Sequence, residues 1–281
     1  MRISLYRAFA LTCLASGLLL TTGCQRENVQ PTEDVTTAED RSDDNLETAF
    51  SADILTSAQP QDAAADNSPA VAGAPELRRI YGTCATRTYN AHTRTLTIDF
   101  GPVNCLCPDG RYRRGKIVVA FTTDTPTRRA GAVVTRENYF VNDNQHTATR
   151  IFTSLSLGSF TVEVPSASIV RVNNGGTHSW TASWTFTRTA GFGTASTSDD
   201  VYSVTGSASG TNRRGISYIT TIQSPLIKRS DCYKYYVAGI VSIINARDKV
   251  MLLNYDPSGS QACDNTATVT VNGRTKTITL R

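Results

Sequence analysis

Cysteine and arginine are the residue types in this sequence whose chemistry and spacing can be read first. The chain carries seven Cys and only three His. Past residue 79 the cysteines are Cys84, Cys105, Cys107, Cys232 and Cys263, an odd set that cannot all pair within one chain. Cys232 and Cys263 flank the last β unit and are expected to bridge. Cys84 is expected to bridge to Cys105 or Cys107. Cys105-Leu106-Cys107 could instead serve metal or redox chemistry, but zinc sites usually show Cys-x-x-Cys or His partners, and none lies nearby, so no metal and no cofactor are expected. Four basic doublets are the other chemical feature: Arg113-Arg114, Arg128-Arg129, Arg213-Arg214 and Lys228-Arg229. A guanidinium can fork onto phosphate or carboxylate, which makes Arg113, Arg114, Arg128, Arg129, Arg213 and Arg214 the candidate anion-binding residues. The same arginines would equally solubilise the wet face of a sheet.

Catalytic signatures are missing. His92, His146 and His178 are scattered, and there is no H-E-x-x-H. Gly206-Ser207-Ala208-Ser209-Gly210 has Ala208 where a nucleophile elbow needs Ser, and it lies in a strand pattern. Asp199-Asp200 reads as paired carboxylates or as a solvated turn. The expectation is a chain that is not an enzyme and has no catalytic residues. A hydrolase site assembled by folding would show itself as a deep pocket holding two carboxylates, or His with Ser or Asp.

These residues sit in a chain of 281 residues with 40% hydrophobic and 19% charged residues. Residues 1–23 read as a signal peptide: Arg2 and Arg7 form a basic start, and Ala8 to Leu20 is an apolar stretch too short to span a bilayer comfortably. The end of this run, Leu20-Thr21-Thr22-Gly23-Cys24, resembles a bacterial lipobox, although Thr21 stands where Leu is usual. The resemblance implies lipidation of Cys24 and a multi-chain anchor, which holds far better than one acyl chain. An ordinary secretory signal and an uncleaved apolar anchor are the rival readings. Gln25 rather than Asp after the Cys resembles outer-membrane sorting, and Gln25-Arg26-Glu27 resembles a short surface-export tag of Bacteroidota lipoproteins.

The formal net charge of +4 is the sum of opposed halves. Residues 25–78 hold twelve acids and three bases, about −9; residues 79–281 hold twelve acids and 23 bases, about +11. Residues 24–78 are expected to be an acidic flexible tether, because so few apolar groups cannot offset chain entropy. Within it Leu46, Phe50 and Ile54 recur at four-residue spacing, and this predicts a short amphipathic helix over 43–57.

Residues 79–281 are expected to form a basic, Thr-rich β-domain. Trp180, Ala182, Trp184 and Phe186 alternate with Thr181, Ser183, Thr185 and Thr187, and similar alternation runs through Thr95–Phe100, Val201–Thr205 and Ala267–Val271. Period two with Thr on one side means antiparallel strands with one buried and one wet face. Alternation also makes both Trp core residues rather than sugar-stacking platforms. Asn272-Gly273 is a strong hairpin signal, with Asn142-Asp143-Asn144 and Asn173-Asn174-Gly175-Gly176 as looser ones. The fold expected is all-β: an antiparallel meander of hairpins forming an extended curved sheet, a sandwich or an open barrel, preceded by a short helix in the tether. A membrane-spanning barrel is disfavoured, because the second face is Thr, Ser and Arg rather than a lipid-facing band. The pattern G-x-x-R-R-G recurs at Gly110–Gly115 and Gly210–Gly215 and reads as two similar hairpin tips.

The segments Cys105-Leu106-Cys107-Pro108-Asp109-Gly110-Arg111 and Cys263-Asp264-Asn265-Thr266-Ala267-Thr268-Val269-Thr270-Val271-Asn272-Gly273 resemble an uncharacterised family of Bacteroidota outer-membrane lipoproteins with C-x-C-x-D-G-R and C-D-N-x-A-T-V-T-V-N-G segments. The resemblance implies a lipoprotein and a β-fold and carries no activity. Taken with the charge, it leads to the expectation of a membrane-anchored protein of the bacterial cell envelope that binds an anionic or glycan component such as lipopolysaccharide. A structural module that joins another envelope protein through strand edges is the alternative. Nucleic acid is not expected as a partner.

Overall fold

Alternation of Thr with large apolar residues decides the architecture. In β8 (Thr177–Ala190) the side chains of His178, Trp180, Ala182, Trp184 and Phe186 are buried, while Thr177, Ser179, Thr181 and Ser183 between them are exposed. The computed structural model describes residues 35–57, 79–125, 128–156, 158–194 and 197–280. One helix, α1 (Thr36–Ser57), precedes the strands. They are β1 (Thr86–Asn90), β2 (Thr95–Asp99), β3 (Cys105–Leu106), β4 (Tyr112–Thr125), β5 (Arg128–Val141), β6 (Asn144–Ser156) and β7 (Ser159–Val170). After β8 come β9 (Val201–Thr211), β10 (Ser217–Arg229), β11 (Ala238–Asn245), β12 (Val250–Asn254), β13 (Thr266–Val271) and β14 (Arg274–Thr279). All belong to one antiparallel sheet in chain order, with β3 set aside against β4. The fold is therefore all-β, an open meander with a helix before it.

The turns follow the local chemistry. Asn272 and Gly273 both have positive φ between β13 and β14, the two-residue geometry whose twist matches the strands. Asn142 and Asp143 do the same between β5 and β6.

The helix differs from its sequence expectation in length, burial and place. It starts at Thr36, not at residue 43, and every described side chain on it is buried or half-buried. Residues 36–57 are a core element of the β-domain rather than a stretch of tether; residues 24–34 and 58–78 of the expected tether, and the signal peptide, lie outside the described residues. The reason is pairing: acids that would forbid burial alone are matched by basic side chains of the sheet. Arg113 on β4 stacks on Phe50, Arg136 on β5 pairs with Glu47, Arg41 stacks on Trp184 of β8, Lys228 on β10 pairs with Asp53, and Asn45 bonds Tyr255 just after β12. Eight strand spacings separate β4 from β12, about 38 Å if the sheet were flat, against a helix about 10–12 Å across. One helix can touch both only because the sheet curls around it.

The inner face leaves room for that. Ala132, Ala148, Ala167, Ala182 and Ala208 are buried on β5 to β9, a floor of small side chains. Leu46, Ala49, Phe50 and Ile54 of α1 join the same apolar core as Ile117, Val162, Phe186 and Val269.

Disulfides close two segments. Cys232 and Cys263 are bonded across 31 residues of chain, as expected, and Cys84 is bonded to Cys105. Cys107, the other candidate for Cys84, is a free, buried thiol. The chain turns between Cys107 and Arg111, where the Cys107 carbonyl accepts the Gly110 N–H at 2.9 Å. This turn carries Cys107 away from the β3 position that faces Cys84.

Candidate functional site

Spacing on α1 places Asp40, Asp43 and Glu47 on one stripe of the helix, and the sheet answers each. Arg171, just after β7, pairs with Asp43 and reaches Asp40 Oδ1 at 2.8 Å. Arg213, just after β9, pairs with Glu39 and reaches Asp40 Oδ1 at 2.5 Å, while its backbone N–H donates to Asp40 Oδ2 at 2.8 Å. Arg136 donates to Glu47 Oε2 at 2.6 Å. On the far side Lys228 Nζ lies 3.0 Å from Asp53 Oδ2, and Arg41 pairs with Asp44 within the helix. Arg113 forks onto Asp109 at 2.6 and 2.7 Å beneath Phe50, and Arg111 joins the same carboxylate at 3.3 Å.

The protonation states follow from these contacts. Burial pushes the Glu47 carboxyl up, but Arg136 and His146 outweigh it and hold it well below its ordinary value. Burial lowers His146 against the pull of Glu47, whose Oε2 is 3.7 Å from Nδ1. Burial likewise lowers His178 to about 3; its ring stacks on Trp180 at 4.5 Å and Nε2 meets the Tyr218 hydroxyl at 2.6 Å. Asp53 is raised by burial despite Lys228.

Where α1 meets the β5–β6 turn, the rim opens into a cleft of about 230 Å³. Arg111, Asn142, Asn144, His146 and Arg171 line it together with Asp43 and Glu47. The Asn142 and Asn144 side-chain carbonyls accept the backbone N–H groups of Tyr112 and Val172, at 2.9 and 3.2 Å. That fixes both amides, with their nitrogens as the remaining donors. A cleft with guanidinium and amide donors beside carboxylates suits a ligand that bears hydroxyls and an acidic group. Asp43, Glu47 and His146 are also a pair of carboxylates with a histidine. Both carboxylates, however, are engaged by arginines.

The candidate anion-binding arginines divide by face. Arg113 and Arg213 turn inward, Arg113 to Asp109 under the helix and Arg213 to Glu39 and Asp40 of the helix itself. Arg114 turns outward, where it bonds Asn104 and Asp143 and lies over the Phe140 ring at 3.9 Å. Arg214 is exposed at the β9–β10 turn. Arg128 and Arg129 open β5, and their side chains lie outside the described residues, as does Cys24. The four described ones, Arg113, Arg114, Arg213 and Arg214, are thus not gathered in one patch. Nor are the two G-x-x-R-R-G segments equivalent: Gly115 sits at a register slip inside β4, whereas Gly215 sits in a turn. Trp180 and Trp184 are buried under the helix, out of reach of a sugar. Asp200 is buried and paired with Arg188, and its Oδ2 accepts the Tyr202 hydroxyl at 3.2 Å, so Asp199-Asp200 is not a freely solvated turn.

Sequence reasoning missed Arg136, Arg150, Arg171 and His146. Inward-pointing bases in an alternating strand were the available signal: His146, Ala148, Arg150 and Phe152 share one face of β6. Thr36-x-x-Glu39, a capping-box pattern in the first turn, was the available signal for the helix start.

A second, shallower groove of about 570 Å³ crosses the outer face from β6 to β10 between Ile151 and Ile219. Its polar groups are Ser and Thr hydroxyls and Glu163, to which Ser183 donates at 2.5 Å. Among the described residues no group of three or more His, Cys, Asp or Glu is placed to hold a metal ion, and no helix is long and apolar enough to cross a membrane. Comparison with protein-family models, with curated proteins and with solved structures finds no match to this chain.

Proposed function

We propose that this chain is a lipid-anchored, non-catalytic β-scaffold of the bacterial cell envelope that binds an anionic or glycan envelope component at the rim cleft. One observation carries the reading: Arg111 before β4, Asn142 and Asn144 at the β5–β6 turn and Arg171 after β7 converge from three separate segments on a cleft beside α1. Guanidinium and amide donors at fixed positions suit a uronate or a phosphorylated sugar. The basic inner face supports the same ligand chemistry, since it already holds a polyanionic segment, the helix. The apolar run ending at Cys24 supports the anchor.

The test is a titration of the full-length chain with acidic and neutral oligosaccharides at several salt concentrations. Binding of the acidic set, weakened by salt and at least tenfold weaker in Arg111→Gln, supports the reading; equal or absent binding of both sets rejects it. Release of reducing ends in the same titration would replace binding by hydrolysis, with Asp43, Glu47 and His146 as the groups to substitute. Mass spectrometry of the membrane fraction tests the anchor, through a diacylglyceryl adduct on Cys24.

A second reading rests on a different observation. Each of β1 and β14 pairs on one side only among the described residues. Such edges accept a strand from another protein. An envelope protein crosslinked through β14, and lost on Thr277→Pro, would favour an interaction module.

A further inference from the structure

Among the described residues ten large apolar side chains are exposed, and eight of them lie at one end of the sheet, the end that carries the β5–β6 turn and the rim cleft. Leu106 of β3 and Tyr112, the first residue of β4, are cross-strand partners, with Val103 in the loop before them. Val170 ends β7, and Val172 follows it. Ile219 of β10 pairs with Ile244 of β11, and Ile244 pairs with Val250, the first residue of β12. These three make an apolar row across adjacent strands, at outward positions of the kind that Thr and Ser fill in β8. The two exceptions are Ile151, midway along β6, and Phe192 at the opposite end, where Arg188 lies over its ring at 5.1 Å.

Apolar residues scattered singly over a surface need no explanation; eight of ten at one end do. Depth and spread select what covers them. Each one that belongs to a strand is within three residues of the strand end, about 10 Å at the rise of a strand. Amphipathic elements enter the boundary between headgroups and acyl chains to a similar depth, about 5–10 Å. The eight also run from the loop before β3 to β12 around the curled sheet, a ring where a protein interface would gather them on one side. Charge agrees. Arg214 in the β9–β10 turn, Arg247 in the β11–β12 turn and Arg274 at the start of β14 are exposed at the same end. The exposed acids in these turns are Asp143, held by Arg114 and Asn104, and Asp248. Arginine here suits the phosphates of anionic headgroups, and a tyrosine suits the same layer. Chain length brings a bilayer within reach. α1 opens at this end, where Asn212 bonds Thr37 at 2.8 Å, and residues 25–35, between Cys24 and Thr36, span at most about 40 Å when extended.

We propose that this rim sits in the headgroup layer of an anionic bilayer, with Leu106, Tyr112, Ile219, Ile244 and Val250 below the phosphates and Arg214, Arg247 and Arg274 among them. The proposal rests on the Cys24 anchor for the nearness of a bilayer, and it adds a second, non-covalent contact that fixes which end of the β-domain faces the lipid.

The experiment places the full chain, isolated from membranes, in vesicles of phosphatidylcholine and phosphatidylglycerol. A fluorophore is attached at Ile244→Cys or Val250→Cys in the rim, or at Phe192→Cys at the opposite end; all three positions are exposed, so the core is left intact. Lipids with brominated acyl chains should quench the rim labels at least threefold more than the Phe192→Cys label. Omitting phosphatidylglycerol, or combining Arg214→Glu with Arg247→Glu, should remove about half of that quenching. Equal quenching at the two ends would overturn the proposal. So would rim labels open to aqueous iodide in these vesicles but shielded in native membranes, which would assign the rim to a protein partner. Mass spectrometry of the same sample separates this contact from the anchor. An unmodified Cys24 with quenched rim labels removes the anchor and keeps the rim contact, whereas a diacylglyceryl adduct with unquenched rim labels keeps the anchor and removes the contact.

Discussion

Arg136 of β5 and Glu47 of α1 meet at 2.6 Å with their side chains 1% and 5% exposed, although 89 residues separate them in the chain. The pair locks the helix to the sheet at the inner end of the rim cleft. Its energetic weight is asymmetric. An intact buried pair contributes little net stability, but a broken one leaves a charge without water or a partner. Glu47→Gln should therefore destabilise the protein by about 3–5 kcal/mol, read as a shift of the urea midpoint. Glu47→Gln with Arg136→Met should recover more than half of that loss; a double variant no better than the single one would show that the pair is not the cause.

Stability should fall on the acid side of neutrality because of His178. Its folded pKa, about 3, lies below the unfolded value, so from about pH 6.5 downward the unfolded chain takes a proton that the folded chain refuses. The contribution is complete above about pH 6.5 and is lost progressively toward pH 3, on the order of 5 kcal/mol in total. Asp40, Arg41, Arg171 and Arg213 act on the ring, and Tyr218 bonds it. Glu47, held low by Arg136, adds a loss of the same sign at the acid end of this range. Denaturation midpoints between pH 7 and pH 4 should slope in the natural chain and flatten in His178→Gln; parallel slopes would exclude His178 as the source.

Cysteine chemistry separates the two bonds from the free thiol. Alkylation in denaturant without reductant should label Cys107 and leave Cys84, Cys105, Cys232 and Cys263 unlabelled, by peptide mapping. In the native protein Cys107 should react slowly, since it is buried and its thiol is raised by desolvation despite the nearby Arg113. Cys232→Ser opens a 31-residue separation and should cost about 2–4 kcal/mol; labelling of Cys232 in the natural chain would contradict the pairing.

Gly115 is the position where a single methyl should be felt most. Its φ is +87°, and a Cβ there would fall 2.0 Å from the Asn138 carbonyl oxygen on β5. Gly115→Ala should lower stability by about 2–3 kcal/mol, while Gly273→Ala, with open space around the Cβ position, should lose less. Equal midpoints for the two variants would count against the tight crossing at Gly115.

Strands and turns were legible because each rests on local chemistry. Trp180–Phe186 and Thr266–Val271 alternate, and Asn272-Gly273 announces its own turn. The helix was legible only in part. Leu46, Phe50 and Ile54 marked one apolar side, but Asp40 and Glu47 on the rest of the circumference read as solvent-facing. Their burial depends on Arg171, Arg213 and Arg136, which lie 89 or more residues away. No local window holds both partners. The opposed charges of the two halves were the visible trace of this, read as a polarity along the chain when they were a complementarity in space. Cys105 and Cys107 were not separable either, since residues two apart on a strand share a face, and only the turn after Leu106 distinguishes them. For the rim cleft, none of the six arginines singled out from doublets lines it; Arg111 and Arg171, which do, stand outside the doublets.

The enclosed helix sets the order of assembly. Neighbouring strands of the meander are consecutive in the chain, so the sheet can grow hairpin by hairpin. By contrast α1 closes loops of 89 residues to Arg136, 131 to Arg171, 175 to Asn212 and 210 to Tyr255. Loop entropy grows only with the logarithm of length, so the longest of these costs about 0.8 kcal/mol more than the shortest. What delays the helix is kinetic: contacts at such separations form slowly, and α1 is synthesised before any strand that will neutralise it. Its six acids keep it hydrated while it waits. Docking of α1 then becomes the late, cooperative step that converts a string of hairpins into a closed core.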